Sequence, residues 1–225
     1  AIDELNDDDA IGAIVVTGAG RAFSSGADVA DFRRASEGNE QVKRDWATYQ
    51  PIAFSGERLT RSKPLVGAIN GLALGAGLTC TFWFDVNIAS TQARFSMRFA
   101  ALGLTPELGS SWLLPRIVGL QRAKEMMLFG RFIDAQTALE WGLVNAVSSP
   151  GGLMAEARAW AARLFELPPL SLASIKNAVN VAMDVDLDAG IQYEQRCSAM
   201  LALTEDRREG HTAFVEKRPP AFVGR

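Results

Sequence analysis

The chain has 225 residues, 48% of them hydrophobic and 22% charged, enough for one sizeable core or for one core and a smaller helical lobe. Its 23 basic and 26 acidic side chains leave a formal net charge of -3, with no basic stripe for nucleic acid and no acidic block for a solvating tail. Gly, Asn or Asp breaks every long apolar run well before the roughly 18 residues that a membrane span requires.

Ala1 to Asn6 reads as the tail of an amphipathic helix running into a turn at Asp7-Asp8-Asp9. No signal-peptide pattern precedes it, and the natural chain is expected to begin earlier. Ala13 to Thr17, ended by Gly18, reads as a strand buried on both faces. Glu40 to Thr60 is polar with helical spacing. Leu65 to Ile69 repeats the strand pattern, Asp85 to Ala89 gives a third strand and Ala93 to Ser96 a fourth. Strands alternating with helices imply an α/β fold with crossover connections.

Beyond Gly103 the pattern turns helical, over Ser110–Ile117, Gln121–Phe129 and Ala135–Trp141. A short strand at Val144–Val147 precedes helices at Leu153–Phe165, Leu172–Met183, Leu187–Ala202 and Glu205–Glu216. The expected division is an α/β core over 1–147 and a helical lobe over 148–225. Cys80 and Cys197 form no metal-type pair and read as buried thiols of a reducing compartment.

Three segments carry candidate chemistry. Gly18 to Asp28 follows a strand and is rich in small residues, which allow backbone to approach a ligand. It contains no G-x-G-x-x-G in register and no G-K-S/T, so neither a dinucleotide nor a phosphate loop fits; a turn-rich loop remains open. Asn70 to Leu78 follows the second long strand and opens an apolar helix. Its small residues suit either free N–H groups aimed at an anion or close helix–sheet packing. In Gly103 to Ser111, Thr105 fits an N-cap, Pro106 a first helical residue and Glu107 the first turn. There the helix dipole alone would favour a carboxylate. Burial among Leu104, Leu108, Trp112 and Leu113 would instead raise the Glu107 pKa and suit it to proton transfer.

In this order and spacing the segments resemble the crotonase, or enoyl-CoA hydratase/isomerase, superfamily, over about residues 3 to 222. Ser24-Ser25-Gly26-Ala27-Asp28 resembles its first oxyanion segment, which implies the Ala27 N–H as one donor. Asn70-Gly71-Leu72-Ala73-Leu74-Gly75-Ala76-Gly77 resembles the second, which implies the Ala76 N–H as the other. Thr212 to Arg218 resembles the final helix, whose aromatic and basic residues, here Phe214 and Lys217, meet the coenzyme A of a neighbouring subunit. The resemblance implies a spiral of ββα turns followed by a helical trimerisation lobe, a homotrimer or dimer of trimers, and an acyl-CoA thioester as substrate. Coenzyme A then enters with the substrate and no separate cofactor is expected; nor is a nucleic acid or membrane partner. Ala22, Ser25, Gly26, Asp28, Gly75, Gly77 and Phe99 are expected around the thioester, and Asp28 also reads as a loop hydrogen-bonding residue.

Hydratases of this family carry two glutamates, and the matching positions hold Thr79 and Phe99. Neither is a general base. Pro106-Glu107-Leu108-Gly109-Ser110-Ser111 resembles the Pro-Glu-x-x-Ser-Ser segment of Δ3,Δ2-enoyl-CoA isomerases, in which one glutamate shuttles a proton. The expectation is an isomerase using Glu107. The alternatives are a hydratase or another enolate-forming lyase or hydrolase, and, in another class, a non-catalytic acyl-CoA- or RNA-binding homologue. His211, the only histidine, reads as a solvated or interface residue, and with no histidine or cysteine cluster no metal site is expected. Ser110 and Ser111 lack a histidine-bearing triad and read as helix caps or as neighbours of Glu107. Glu125 and Asp134 read as surface charges, and Phe82, Trp83, Phe84 and Phe95 as core or acyl-pocket wall. Phe222-Val223-Gly224-Arg225 is no peroxisomal address, and a cytoplasmic location is the default expectation.

Overall fold

Among the residues that the computed structural model describes, 1–28, 59 and 62–225, the β-branched runs pair into two sheets. In chain order the strands are β1 (Ile14–Thr17), β2 (Ala22–Ser24), β3 (Leu65–Ile69), β4 (Leu72–Leu74), β5 (Val86–Ser90), β6 (Arg94–Ser96), β7 (Ile133–Asp134) and β8 (Ala146–Ser148). One sheet has the order β1-β3-β5-β8 and the other β2-β4-β6-β7. Val66 lies opposite Val86 and Ile88 opposite Ala146 in parallel register. In the second sheet Ala73 lies opposite Phe95, also in parallel, and only β6 with β7 runs antiparallel. The helical stretch read at Glu40 to Thr60 lies outside the described residues, Leu59 excepted.

Sequence neighbours enter different sheets. β1 is followed at once by β2, β3 by β4 and β5 by β6, each time with a change of sheet at a short corner. The corners demand glycine: a Cβ at Gly18 would collide with the Ala22 carbonyl, and one at Gly71 with the Arg21 carbonyl. β3 is buried at all five positions, as its apolar run requires. β1 departs from its expected burial. Only Ile14 is buried, Val15 and Val16 are half-buried and Thr17 is exposed, because β1 ends the strand order. β2, β4 and β7 were not legible as strands; they have two or three residues each, too few for a periodicity.

The helices are α1 (Ile2–Asn6), α2 (Ala76–Thr79), α3 (Ser110–Val118), α4 (Leu120–Phe129), α5 (Ala135–Glu140), α6 (Leu153–Phe165), α7 (Pro169–Ala182), α8 (Leu187–Leu201) and α9 (Glu205–Glu216). α2 continues into a 3-10 turn at Cys80–Trp83, and another 3-10 turn spans Ala100–Leu102. Side chains fix several starts: Asp134 accepts the Thr137 N–H at 2.8 Å, Asp186 that of Ala189 at 2.8 Å and Thr204 that of Arg207 at 3.2 Å. Asp134 is therefore more than the surface charge expected of it. Its pKa is lowered, first by the backbone N–H of Thr137 and further by Arg94 at 3.6 Å. Glu125 does pair at the surface, with Arg131 at 2.6 Å. No helix among the described residues is long and apolar enough to cross a membrane.

The chain divides into two compact units, one of Val15–Leu59 with Val66–Ala157, the other of Ala1–Ile14, Thr60–Leu65 and Arg158–Arg225. In the first, Phe95, Ile69, Leu78, Ile88 and Leu114 are fully buried. In the second, the chain end is held by Asp206 in the first turn of α9. This carboxylate is 2% exposed and accepts the Val223 N–H at 2.6 Å and the Gly224 N–H at 2.9 Å. Charge-assisted bonds of this kind are among the stronger ones in a folded chain. Asp206→Ala should lower the unfolding free energy by about 2–3 kcal/mol in a denaturant titration. It should also speed hydrogen exchange at Val223 and Gly224 while leaving the amides of β3 protected.

Candidate functional site

The two glycine-rich segments meet in the first unit. β2 and β4 run parallel, Ala22 opposite Leu72 and Ser24 opposite Ala73, so the residues after each strand emerge at the same sheet end. Asn70 ties the segments together upstream. Its Oδ1 accepts the Gly18 N–H at 3.1 Å, and its Nδ2 donates to the carbonyls of Gly20 at 3.0 Å and Ala22 at 3.3 Å. The sequence marked Asn70 only as a turn residue; an Asn beside a strand end, with all its polar atoms available, was the signal for this role.

The glycines of this region serve different ends. Gly75 has φ 49, a conformation closed to most side chains, while a Cβ there would meet only the Phe99 ring at an ordinary 3.7 Å. It is needed for backbone shape. Gly77 is needed for space, since a Cβ would lie 2.5 Å from the Cβ and Oγ of Ser24. Gly26 combines both demands: φ is 84, and a Cβ would sit 2.8 Å from the Leu74 carbonyl and 3.6 Å from the Ala76 nitrogen. That last distance places the Gly26-Ala27 peptide against the start of α2. The N–H groups of Ala27 and Ala76 donate to no acceptor among the described residues. For Ala76 the reason is general, because the first amides of a helix have no carbonyl behind them. Two unpaired donors on adjacent segments can bind one oxygen carrying partial negative charge.

The remaining expected residues distribute as follows. Ala22 is a β2 residue whose carbonyl is taken by Asn70. Ser25 and Asp28 are exposed beside Gly26 and Ala27. Phe99 is 6% exposed, with its ring against Gly75 and its carbonyl accepting the N–H groups of Leu102 at 3.0 Å and Leu104 at 2.9 Å. Thr79 is 0% exposed and its hydroxyl donates to the Ala76 carbonyl at 3.4 Å, inside its own helix. Phe82, Phe84 and Phe95 are buried and Trp83 is half-buried. In the second unit Phe214 is 85% exposed on α9, and Lys217 ends that helix with φ 55. His211 is exposed.

Glu107 does not sit where its sequence suggested. α3 begins at Ser110 with Gly109 as its cap, so Thr105, Pro106 and Glu107 belong to the preceding loop and not to a first helical turn. The break comes at Leu108 and Gly109, with φ 54 and 70. Two left-handed residues in succession cannot continue a right-handed helix, and the Cβ of Leu108 makes its conformation cost about 1–2 kcal/mol. The serines do not cap either. Ser111 is exposed, while the Ser110 hydroxyl is buried with no hydrogen-bond partner among the described residues; the Ser110 backbone N–H donates to the Glu107 carbonyl at 3.0 Å.

The Glu107 carboxyl is half-buried, and burial pushes its pKa above the ordinary carboxyl range; no cation pairs with it among the described residues. Of the thiols, Cys80 is buried and burial pushes its pKa up to about 12, so it is no nucleophile at neutral pH. Cys197 is half-buried, not buried as expected. No group of histidine, cysteine, aspartate and glutamate able to hold a metal exists among the described residues.

Two backbone amides able to hold one carbonyl oxygen, in a fold that also presents a carboxyl of raised pKa, suit chemistry in which charge develops on that oxygen. Residues 1–225 match the family described as Enoyl-CoA hydratase/isomerase. The chain is 36% identical over 227 residues to 1,2-epoxyphenylacetyl-CoA isomerase of Escherichia coli (strain K12), covering 99% of this chain and 85% of that protein. It is 37% identical over 221 residues to 2,3-dehydroadipyl-CoA hydratase of the same organism, covering 97% and 83%. The crystal structure of enoyl-CoA hydratase from Bacillus anthracis superposes with a TM-score of 0.89 at 34% identity, covering 100% of this chain and 86% of that one. The chain belongs to the enoyl-CoA hydratase/isomerase family and has its crotonase α/β fold. These relatives are hydratases and an epoxyphenylacetyl-CoA isomerase, so the narrower likeness to Δ3,Δ2-isomerases is not singled out by them.

Asn70→Ala would strand the Gly18 N–H and the Gly20 and Ala22 carbonyls together. The expected outcome is a loss of about 1–3 kcal/mol of stability. Faster hydrogen exchange at Gly18, with the β3 amides unchanged, would confirm that the loss is local.

Proposed function

We propose that this protein isomerises 3-enoyl-CoA to 2-enoyl-CoA with Glu107 as the only proton carrier. The substrate thioester oxygen would accept the Ala27 and Ala76 N–H groups. Glu107 would take a proton from C2, the resulting dienolate would hold its charge on the thioester oxygen, and the same carboxyl would return the proton to C4. The carbon–carbon double bond moves into conjugation and no atom is gained or lost. Each backbone donor of this kind contributes about 10²–10³ in rate, and a positioned carboxylate about 10²–10⁴. Gly26, Gly75 and Gly77 would shape the hole, and Ala22, Ser25, Asp28 and Phe99 would border the thioester. Phe214 and Lys217 would meet coenzyme A across a subunit boundary in a homotrimer or dimer of trimers.

One observation carries the reading: Glu107 is a partly buried carboxyl with no ion-pair partner among the described residues, whereas Thr79 is locked into its own helix and Phe99 is a ring. Two-carboxylate hydration has no second carboxylate at these positions. A hydratase using Glu107 alone is the second reading, favoured by the activities named for relatives such as 2,3-dehydroadipyl-CoA hydratase.

The test follows conjugated thioester absorbance with 3-enoyl-CoA as substrate. Wild type should turn over and Glu107→Gln should lose at least about a hundredfold, the lower end of general-base catalysis. Loss of absorbance from 2-enoyl-CoA, with no conversion of 3-enoyl-CoA, would establish the hydratase instead. The pH profile has a definite sign. The base must be ionised, so kcat/KM should fall with decreasing pH, with a midpoint above that of an ordinary glutamate. Stability moves in the same pH window. A carboxyl whose pKa is raised by folding costs nothing below its unfolded pKa and imposes its full penalty above its folded pKa. Glu107→Gln should therefore raise Tm at pH 8, and the difference should shrink towards zero as the pH falls below the unfolded carboxyl range.

A further inference from the structure

The Glu107 loop is fastened at few points. The Leu104 N–H donates to the Phe99 carbonyl at 2.9 Å, and the Ser110 N–H donates to the Glu107 carbonyl at 3.0 Å. The chain just beyond Glu107 is held differently: the Leu108 carbonyl, one residue on, accepts the indole Nε1–H of Trp83 at 2.8 Å. Leu108 is the non-glycine residue with φ 54, the costly conformation that turns the chain away from α3. Strained backbone of this kind persists where surrounding contacts determine it. The same indole fills the space before Gly109, where a Cβ would lie 3.2 Å from Trp83 Cζ2.

Trp83 closes the 3-10 turn that continues α2, and α2 starts at Ala76. One unbroken helical segment therefore runs from a candidate oxyanion donor to the indole that grips the glutamate loop. We infer that Trp83 is a positioning residue, setting Glu107 relative to the Ala76 N–H through the Leu108 carbonyl. This rests on the reading of Glu107 as the base. In this role the indole acts by fixing the Leu108 carbonyl and takes no part in the proton transfer itself. A shift of about 1 Å at a catalytic group costs on the order of a hundredfold in rate, which makes one hydrogen bond to that carbonyl consequential.

The test follows deuterium entering C2 of butyryl-CoA in heavy water, a step that needs only the base and the oxyanion hole and is indifferent to the product formed. Wild type should exchange, and Glu107→Gln should not. Trp83→Phe keeps most of the ring and removes the N–H. It should lower the maximal exchange rate at least tenfold, leave the KM for butyryl-CoA within twofold, and move the acid limb of the pH profile downward as Glu107 relaxes towards water. Gly109→Ala keeps Trp83 but crowds the indole and strains the φ 70 backbone beside it, so it displaces the same contact and should give the same split if Trp83→Phe fails to fold. A lowered Tm with unchanged exchange rate and pH profile would make Trp83 merely structural and overturn the inference, with Glu107 still the base. No exchange by wild type, or undiminished exchange by Glu107→Gln, would sink the Glu107 reading, and the positioning role with it.

Discussion

The candidate site depends on two backbone N–H groups, those of Ala27 and Ala76, that donate to no acceptor among the described residues. A buried amide left so would be costly, but Ala27 is exposed and Ala76 half-buried, within reach of water or of a ligand oxygen. The arrangement rests on geometry that glycine permits. The Gly75 conformation, with φ 49, starts α2 where the Ala76 amide has no carbonyl behind it. Gly26, with φ 84, lets the first segment lie within a side chain's reach of that amide. Neither donor would be placed without the parallel pairing of β2 with β4, nor would the loops stay matched without Asn70 spanning them. The site is a consequence of sheet corners, and the residues making it are mostly the ones with the least side chain.

A site built from backbone has little freedom to change its electrostatics, so chemistry must be varied by the side chains around it. In this chain the position after Leu78 is a threonine whose hydroxyl is consumed by its own helix, and position 99 is a phenylalanine sealed against Gly75. Neither side chain can ionise. Apolar surroundings in general raise the cost of ionising a carboxyl and strengthen a hydrogen bond to a developing oxyanion. The burial-driven shift of Glu107 has the sign that a proton-shuttling carboxyl needs: the closer its pKa to the working pH, the more readily it both takes and returns a proton.

The class of fold and the longer strands were legible, because long buried strands such as Leu65–Ile69 carry an unmistakable apolar run. What escaped was short or conformational. β2, β4 and β7 have too few residues to show a period. Of the two readings offered for the Asn70 to Leu78 segment, free amides or tight packing, the packing is seen at Gly77 against Ser24, and the Gly75 conformation is compatible with the other. The helical spacing put the start of α3 at Ser110, as found, but the earlier N-terminus read at Thr105 is absent for an instructive reason. Thr105-Pro106-Glu107 satisfies every local preference for a helix N-terminus, but Leu108 adopts a left-handed conformation that no sequence rule assigns to leucine. A contact twenty-five residues away, the Trp83 indole on the Leu108 carbonyl, is where that conformation finds support.

That contact also explains why the local rules fail at this point in particular. Sequences are locally consistent where only folding is at stake, and they break local rules where something beyond stability sets the geometry. Had α3 begun at Thr105, Glu107 would have lain in its first turn, stabilised as an anion by the helix dipole, and its pKa would have been drawn down. Beginning the helix at Ser110 leaves the carboxyl outside that field, in half-buried surroundings that raise its pKa. The left-handed turn at Leu108 and Gly109 thus does two things with one backbone break: it keeps the glutamate out of a helical first turn, and it presents the Leu108 carbonyl to an indole on the segment that begins at Ala76.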